Sequence, residues 1–73
     1  MSRTETIDKM IRMANTLMNN WTRDGENAIW NIAYDWNRDH DESEEIFMCE
    51  KYDDSLDELI GFYIEDDYWL YED

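Results

Sequence analysis

The sequence has no proline, two glycines, one cysteine and one histidine. A lone cysteine excludes an internal disulfide framework and is typical of a reducing compartment. No run approaches the roughly 18 apolar residues of a membrane-spanning helix, and the N-terminus lacks the apolar core of a secretory signal. With no proline-rich linker and too little length for two cores, we expect one cytoplasmic domain over residues 1–73.

Cations are scarce, and almost all of them lie in the first half of the chain. Residues 1–38 contain five acids and five bases, whereas residues 39–73 contain fifteen acids and only Lys51 as a base. The formal net charge of −14 therefore arises entirely from the second half. The sequence thus predicts a charge-balanced N-terminal half joined to a strongly acidic C-terminal half.

The charge density is comparable with that of DNA. A compact domain of this length has a radius of gyration of roughly 11 Å, and duplex DNA has one negative charge per about 1.7 Å of axis, so 14 charges match about 24 Å of duplex. Such charge opposes compaction and repels nucleic acid and anionic membranes. The expected partner is a basic protein surface or a metal cation, with no direct nucleic acid or membrane binding.

Aromatic residues distinguish this chain from a disordered acidic tail. Acidic tails are poor in aromatic and branched aliphatic residues, but this sequence has four tryptophans, five tyrosines and two phenylalanines. We therefore expect a folded acidic domain.

Hydrophobic periodicity predicts an α+β fold with the order α-β-β-α and a possible short terminal strand. Residues 4–21 have a helical apolar stripe, with Ser2 and Glu5 in a capping-box pattern before it and Asp24-Gly25 as a stop signal. Residues 28–36 fit a helix or a strand, and their aromatic content favours a strand. We expect residues 46–52 to form a second strand that pairs with residues 28–36 in a hairpin. Residues 56–65 are predicted to form the second helix, and residues 68–71 are predicted to form the terminal strand. An all-α helical bundle is the alternative.

The acids around the predicted second helix are the candidate partner-binding residues. Those at its start are stabilised by the positive end of the helix dipole, whereas those at its end oppose the dipole and repel one another. Exposed tyrosines beside them would supply apolar anchoring, since exposed ion pairs alone are weak. The predicted contact set is Asp53, Asp54, Asp57, Glu58, Glu65, Asp66, Asp67, Tyr68, Tyr71, Glu72 and Asp73.

A calcium site is an alternative reading of the preceding segment. Asp39, Asp41, Ser43 and Glu50 occupy spacings of an EF-hand loop. The glycine that makes the sharp turn of such a loop is replaced by Glu44, and the chain offers no second loop for pairing. A simple connecting turn accounts for the same residues.

No pattern of catalytic residues stands out. His40 and Cys49 are single, Glu50 next to Cys49 disfavours a thiolate, and there is neither a glycine-rich phosphate loop nor a zinc-binding spacing. We expect a non-enzymatic protein without a cofactor.

In size, acidity and scattered aromatics the whole chain resembles the small phage-encoded DNA mimics, the anti-CRISPR and antirestriction inhibitors of bacterial defence nucleases. The resemblance is one of composition. It implies an inhibitor in the cytoplasm of a bacterial host, whose carboxylates occupy the basic DNA-binding or PAM-binding site of a CRISPR effector or restriction nuclease. An acidic adaptor for a basic protein is the other interpretation, and the oligomeric state is left open.

Overall fold

Two helices precede a three-stranded sheet in a computed structural model that describes residues 2–55 and 57–71. The elements are α1 (Arg3–Leu17), α2 (Arg23–Asp39), a short 3-10 helix (Glu42–Glu44), β1 (Met48–Asp53), β2 (Glu58–Ile64) and β3 (Asp67–Leu70). The sheet is antiparallel with the order β1-β2-β3. The predicted α+β class and short terminal strand are confirmed. None of the helices within the described residues is both long and apolar enough to cross a lipid bilayer.

Helix α1 confirms the first predicted element and its N-cap. The Ser2 hydroxyl accepts a hydrogen bond from the Glu5 backbone N–H at 3.1 Å, which satisfies one of the free donors of the first turn. The helix ends at Leu17, earlier than predicted, because the backbone N–H of Asn19 and that of Asn20 bond to carbonyls three residues back. Gly25 is not a stop, since it lies in the first turn of α2.

Residues 28–36 are helical, so the predicted strand is wrong. The Thr22 hydroxyl caps α2 by accepting from the Gly25 N–H at 3.0 Å. Ile29 and Ala33, four residues apart on one side of the helix, are buried in the core. Trp30 and Tyr34, which are four residues apart, pack on each other along the helix with ring centroids 5.5 Å apart. Burial of Ile29 and Ala33 on one side therefore selected the helical periodicity over the alternation of a strand.

The predicted second helix is also wrong, because residues 58–64 form the central strand β2. Phe62 and Ile64 alternate into the core as in a strand with one covered face. In the turn before β2 the Ser55 N–H and hydroxyl both bond to Asp53 Oδ1. Leu56, the first residue of the predicted helix, lies outside the described residues.

The partner of β1 is β2 and not the segment 28–36. Cys49 pairs with Tyr63 and Glu50 with Phe62, and a bulge shifts the register between Lys51 and Tyr52. The predicted strand over residues 46–52 is therefore confirmed with later bounds and a different neighbour.

The core lies between the helical layer and one face of the sheet. Its buried apolar residues come from both helices, from the segment before β1 and from all three strands, namely Met10, Ala14, Leu17, Ile29, Ala33, Ile46, Met48, Phe62, Ile64 and Trp69. The Asn37 side chain holds the entry to β1 by bonding to both the N–H and the carbonyl of Ile46, at 2.8 and 3.0 Å. The other face of the sheet has no element over it within the described residues.

Gly61 is required by the close approach of β3. A Cβ at this position would lie 2.2 Å from the Trp69 carbonyl oxygen. We expect Gly61→Ala to lower the free energy of unfolding by about 1–3 kcal/mol, because backbone atoms must move. Urea unfolding measures this. Gly25→Ala is the matched control: its Cβ would meet the end of the Leu17 side chain and, at 3.0 Å, the Thr22 hydroxyl, which are side-chain rather than backbone atoms, and the change should stay within about 1 kcal/mol. Equal loss in both variants would contradict the argument.

Candidate functional site

The predicted contact acids fall into two groups at opposite ends of the sheet. Asp53, Asp54, Asp57 and Glu58 surround the turn between β1 and β2 and are called the first-turn acids. Glu65, Asp66 and Asp67 form the turn between β2 and β3 and are called the second-turn acids. The six residue steps of β2 separate the two turns by about 20 Å. Both groups belong to hairpin turns rather than to helix ends, so the helix dipole plays no part. Glu72 and Asp73 lie outside the described residues.

Arg3 connects the second turn to the loop that follows α2. Its guanidinium forms an ion pair with Glu65. It also donates to the backbone carbonyls of Glu44 and Glu45, at 3.1 and 2.8 Å. The start of α1 thereby brings a second acidic segment to this end of the molecule.

That segment contributes acids which the sequence-based contact set omits. The exposed carboxylates of the loop, called the loop acids, are Asp41, Glu42, Glu44 and Glu45. No periodic signal could have placed them, because the Arg3 side chain spans more than 40 residues of sequence to reach their backbone. The acidic end of the domain is therefore larger than the predicted cluster.

Most of these carboxylates have no cation beside them. In the described part of the acidic half, Asp39, Glu50 and Glu65 form ion pairs with Arg38, Arg23 and Arg3 respectively. The exposed acids left without an ion pair in that part of the chain are Asp41, Glu42, Glu44, Glu45, Asp54, Asp57, Glu58, Asp66 and Asp67.

Aromatic side chains occupy the sheet face that points away from the helices, called the open face. Tyr63 lies opposite Tyr68 across β2 and β3, and their ring centroids are 5.3 Å apart. Phe47, just before β1, packs on the other side of Tyr63, with ring centroids 5.4 Å apart and the ring planes tilted by 47°. The three rings form a row across the sheet beside the second-turn acids. Tyr68 is 62% exposed, which matches its predicted exposure.

The row lies in a shallow depression that also touches both acidic turns. The depression has a volume of about 550 Å³. Its charged lining includes Asp54 of the first turn and Glu65 and Asp66 of the second. The contact set predicted from the sequence omits both Tyr63 and Phe47. A period-two reading of residues 58–64 would have placed Tyr63 on this face, opposite Phe62.

Tyr71 does not share the open face, and its predicted exposure is wrong. Side chains alternate along a strand, so Tyr71 points to the same side as Trp69. Its ring packs on Trp21, with centroids 4.6 Å apart, and its hydroxyl donates to the Glu26 carboxylate.

Glu26 is the buried polar centre that receives Tyr71. It is 1% exposed and also accepts from Trp30 Nε1 at 3.3 Å and from Arg23 at 3.4 Å. Three donors thus compensate the burial of one carboxylate. Arg23 extends the network to Glu50 of β1 at 3.3 Å. The arrangement joins α2 to β1 and to the residue that follows β3.

The residues of the calcium alternative do not converge. Asp39 ends α2 beside Arg38, which lowers the pKa of the Asp39 carboxyl through a hydrogen bond and charge. Asp41 and Ser43 lie at the 3-10 helix, while Glu50 is in β1 and pairs with Arg23. No group of three or more acidic, histidine or cysteine side chains in residues 2–55 and 57–71 is placed to hold a metal ion.

Comparison of the chain with protein-family models, with curated proteins and with solved structures found no significant match.

The Tyr71–Glu26 contact predicts a loss of stability at alkaline pH. Burial, followed by the hydrogen bond to Glu26, raises the pKa of Tyr71 above its usual value. The folded state therefore keeps a proton that the unfolded chain loses above about pH 10, so the stabilisation is complete below that pH and declines above it. We expect the free energy of unfolding of the wild type to fall more steeply between about pH 10 and pH 12 than that of Tyr71→Phe. Parallel curves would contradict the assignment.

The unpaired carboxylates predict stabilisation by salt. Raising ionic strength from about 0.01 M to 1 M shortens the Debye length from about 30 Å to about 3 Å, which screens repulsion among the turn and loop acids. The melting temperature followed by circular dichroism should rise with sodium chloride. A melting temperature independent of salt would mean that the carboxylates are too far apart to repel one another.

Proposed function

We propose that the protein is a non-enzymatic inhibitor of a bacterial defence nuclease, in particular a CRISPR effector, and that it acts as a DNA mimic. Its carboxylates would occupy the basic site that binds duplex DNA or the PAM, where arginines otherwise contact phosphates and guanines. The observation that supports this most strongly is the set of exposed carboxylates without an internal cation at both ends of the sheet. A basic partner would supply the missing cations.

The dimensions are compatible with a duplex-like ligand. The two acidic turns lie about 20 Å apart along the sheet, which corresponds to about six base-pair steps of 3.4 Å. The molecule measures 35 × 24 × 19 Å, so its long dimension can present several charges to one groove. Counterions released from such an array would favour association as they do for DNA.

Charge reversal at the second turn tests the proposal. We expect Asp66→Lys/Asp67→Lys to weaken inhibition of the target nuclease at least about tenfold, because two attractive contacts become repulsive. Both side chains are exposed, so the fold should persist in circular dichroism. Asp8→Lys/Asp24→Lys makes the same change of net charge at exposed sites on the helices and should leave inhibition nearly unchanged. Equal losses from both double variants would contradict a localised mimic surface.

Competition with DNA separates the proposal from the adaptor interpretation. The target can be sought by pull-down from bacterial lysate, with duplex DNA added to release captured nucleases. A DNA mimic should be released by DNA, and its complex should weaken steeply as salt rises. A complex that binds duplex DNA at the same time would contradict mimicry and favour an acidic adaptor.

A further inference from the structure

The open face of the sheet combines features that simple charge mimicry does not need. Phe47 and Tyr68 are 50% and 62% exposed, and Leu70, two residues after Tyr68 on β3, is also exposed. Contiguous apolar surface of this kind on a small soluble domain marks an interaction site. Since helices cover only the other face, the row of Phe47, Tyr63 and Tyr68 is accessible along its whole length within the described residues.

The row already holds one cation. Lys51, the single base among residues 39–73, places its Nζ 5.2 Å from the centre of the Tyr68 ring. A cation at this distance is attracted by the negative face of the ring. The surrounding acids Asp54, Glu65 and Asp66 line the same depression. Rings and carboxylates together favour a cationic occupant.

Two other occupants fit these charges poorly. Single-stranded nucleic acid stacks on aromatic platforms of open sheets, but such platforms accompany a positively charged groove, and this depression is acidic. A second copy of the chain would bring together two molecules that each have a net charge of −14. A basic protein segment is instead attracted by the acidic depression and by the net negative charge of the molecule.

Arginine matches the depression better than lysine. Its planar guanidinium stacks on aromatic rings and can form two parallel hydrogen bonds to one carboxylate. Neighbouring ring centroids in the row are 5.3 and 5.4 Å apart, and Glu65 and Asp66 lie in the same depression. A side chain stacked on Tyr63 or Tyr68 would therefore have carboxylate acceptors nearby.

We propose that the open face is a docking site for arginine side chains of a basic protein, with the row of Phe47, Tyr63 and Tyr68 stacking the guanidinium groups and the exposed acids of the same depression, Asp54 and Asp66, accepting their hydrogen bonds. The identity of the partner as a nuclease rests on the proposed function, whereas the preference for arginine rests on this face alone. It gives the mimic a selectivity among basic surfaces that charge by itself does not provide.

Two peptides of equal charge, nona-arginine and nona-lysine, test the inference by titration calorimetry at fixed salt. The wild type should bind the arginine peptide more tightly. Tyr68→Leu should weaken binding of the arginine peptide about two- to fivefold, the effect of one exposed ring on a cation, and should weaken binding of the lysine peptide less, because only the planar guanidinium also stacks on the ring. Phe47→Leu should act in the same direction and provides a second probe if Tyr68→Leu fails to fold. Equal affinities of the wild type for the two peptides would overturn the inference.

Tyr34→Leu is the matched control. Tyr34 is 59% exposed, close to Tyr68, but it lies on α2 and packs on Trp30. Its loss should leave the arginine preference intact, and an equal effect there would overturn the assignment to the open face. Binding of a single-stranded oligonucleotide that Tyr68→Leu abolishes would also overturn it. This test can fail independently of the proposed function. If the protein prefers the arginine peptide but duplex DNA does not compete for its target, DNA mimicry is contradicted and the arginine docking site is not.

Discussion

A single layer of helices can cover only one face of a sheet, and the candidate site depends on that constraint. Phe62, Ile64 and Trp69 bury their side chains against α1 and α2, which together use most of the first half of the chain. The residues that alternate with them must then face away from the core. Tyr63, Tyr68 and Leu70 are brought together on the open face for this reason, and the same alternation brings Tyr71 inward to Glu26.

The few arginines of the chain connect segments that are distant in sequence. Arg3 holds the loop after α2 against the second turn, and Arg23 connects Glu26 of α2 with Glu50 of β1. These arginines of the charge-balanced half therefore pair with acids where segments distant in sequence meet. Asp41, Asp54, Asp66 and Asp67 are among the exposed acids that have no ion pair within the described residues. Under the proposed function the imbalance is of use, because a partner rather than the protein itself neutralises those acids.

The prediction from sequence was correct where the apolar residues of a segment fit only one type of secondary structure. The apolar stripe of α1 and the capping pattern of Ser2 and Glu5 have one interpretation, and both are confirmed. Residues 28–36 and 58–64 each fit both a helix and a strand. The first segment was predicted as a strand from its aromatic content and the second as a helix from its apolar spacing, and both predictions were wrong. For the candidate site, the exposure of Tyr68 was predictable, whereas the loop acids and Phe47 were not, because contacts with Arg3 and Tyr63 from elsewhere in the chain position them.

The sequence by itself determined the segregation of charge, the small α+β class, the first helix and the terminal strand, since composition and short-range periodicity are properties of neighbouring residues. Only the tertiary structure decided which of two compatible patterns α2 and β2 adopt, because the free energy of burying Ile29 or Phe62 depends on the surface each one meets. It also divided the predicted cluster of acids between two turns about 20 Å apart, and placed a row of aromatic rings in the depression that both turns line. These positions are set by the pairing between strands, and the local sequence of a strand does not specify which strand it pairs with.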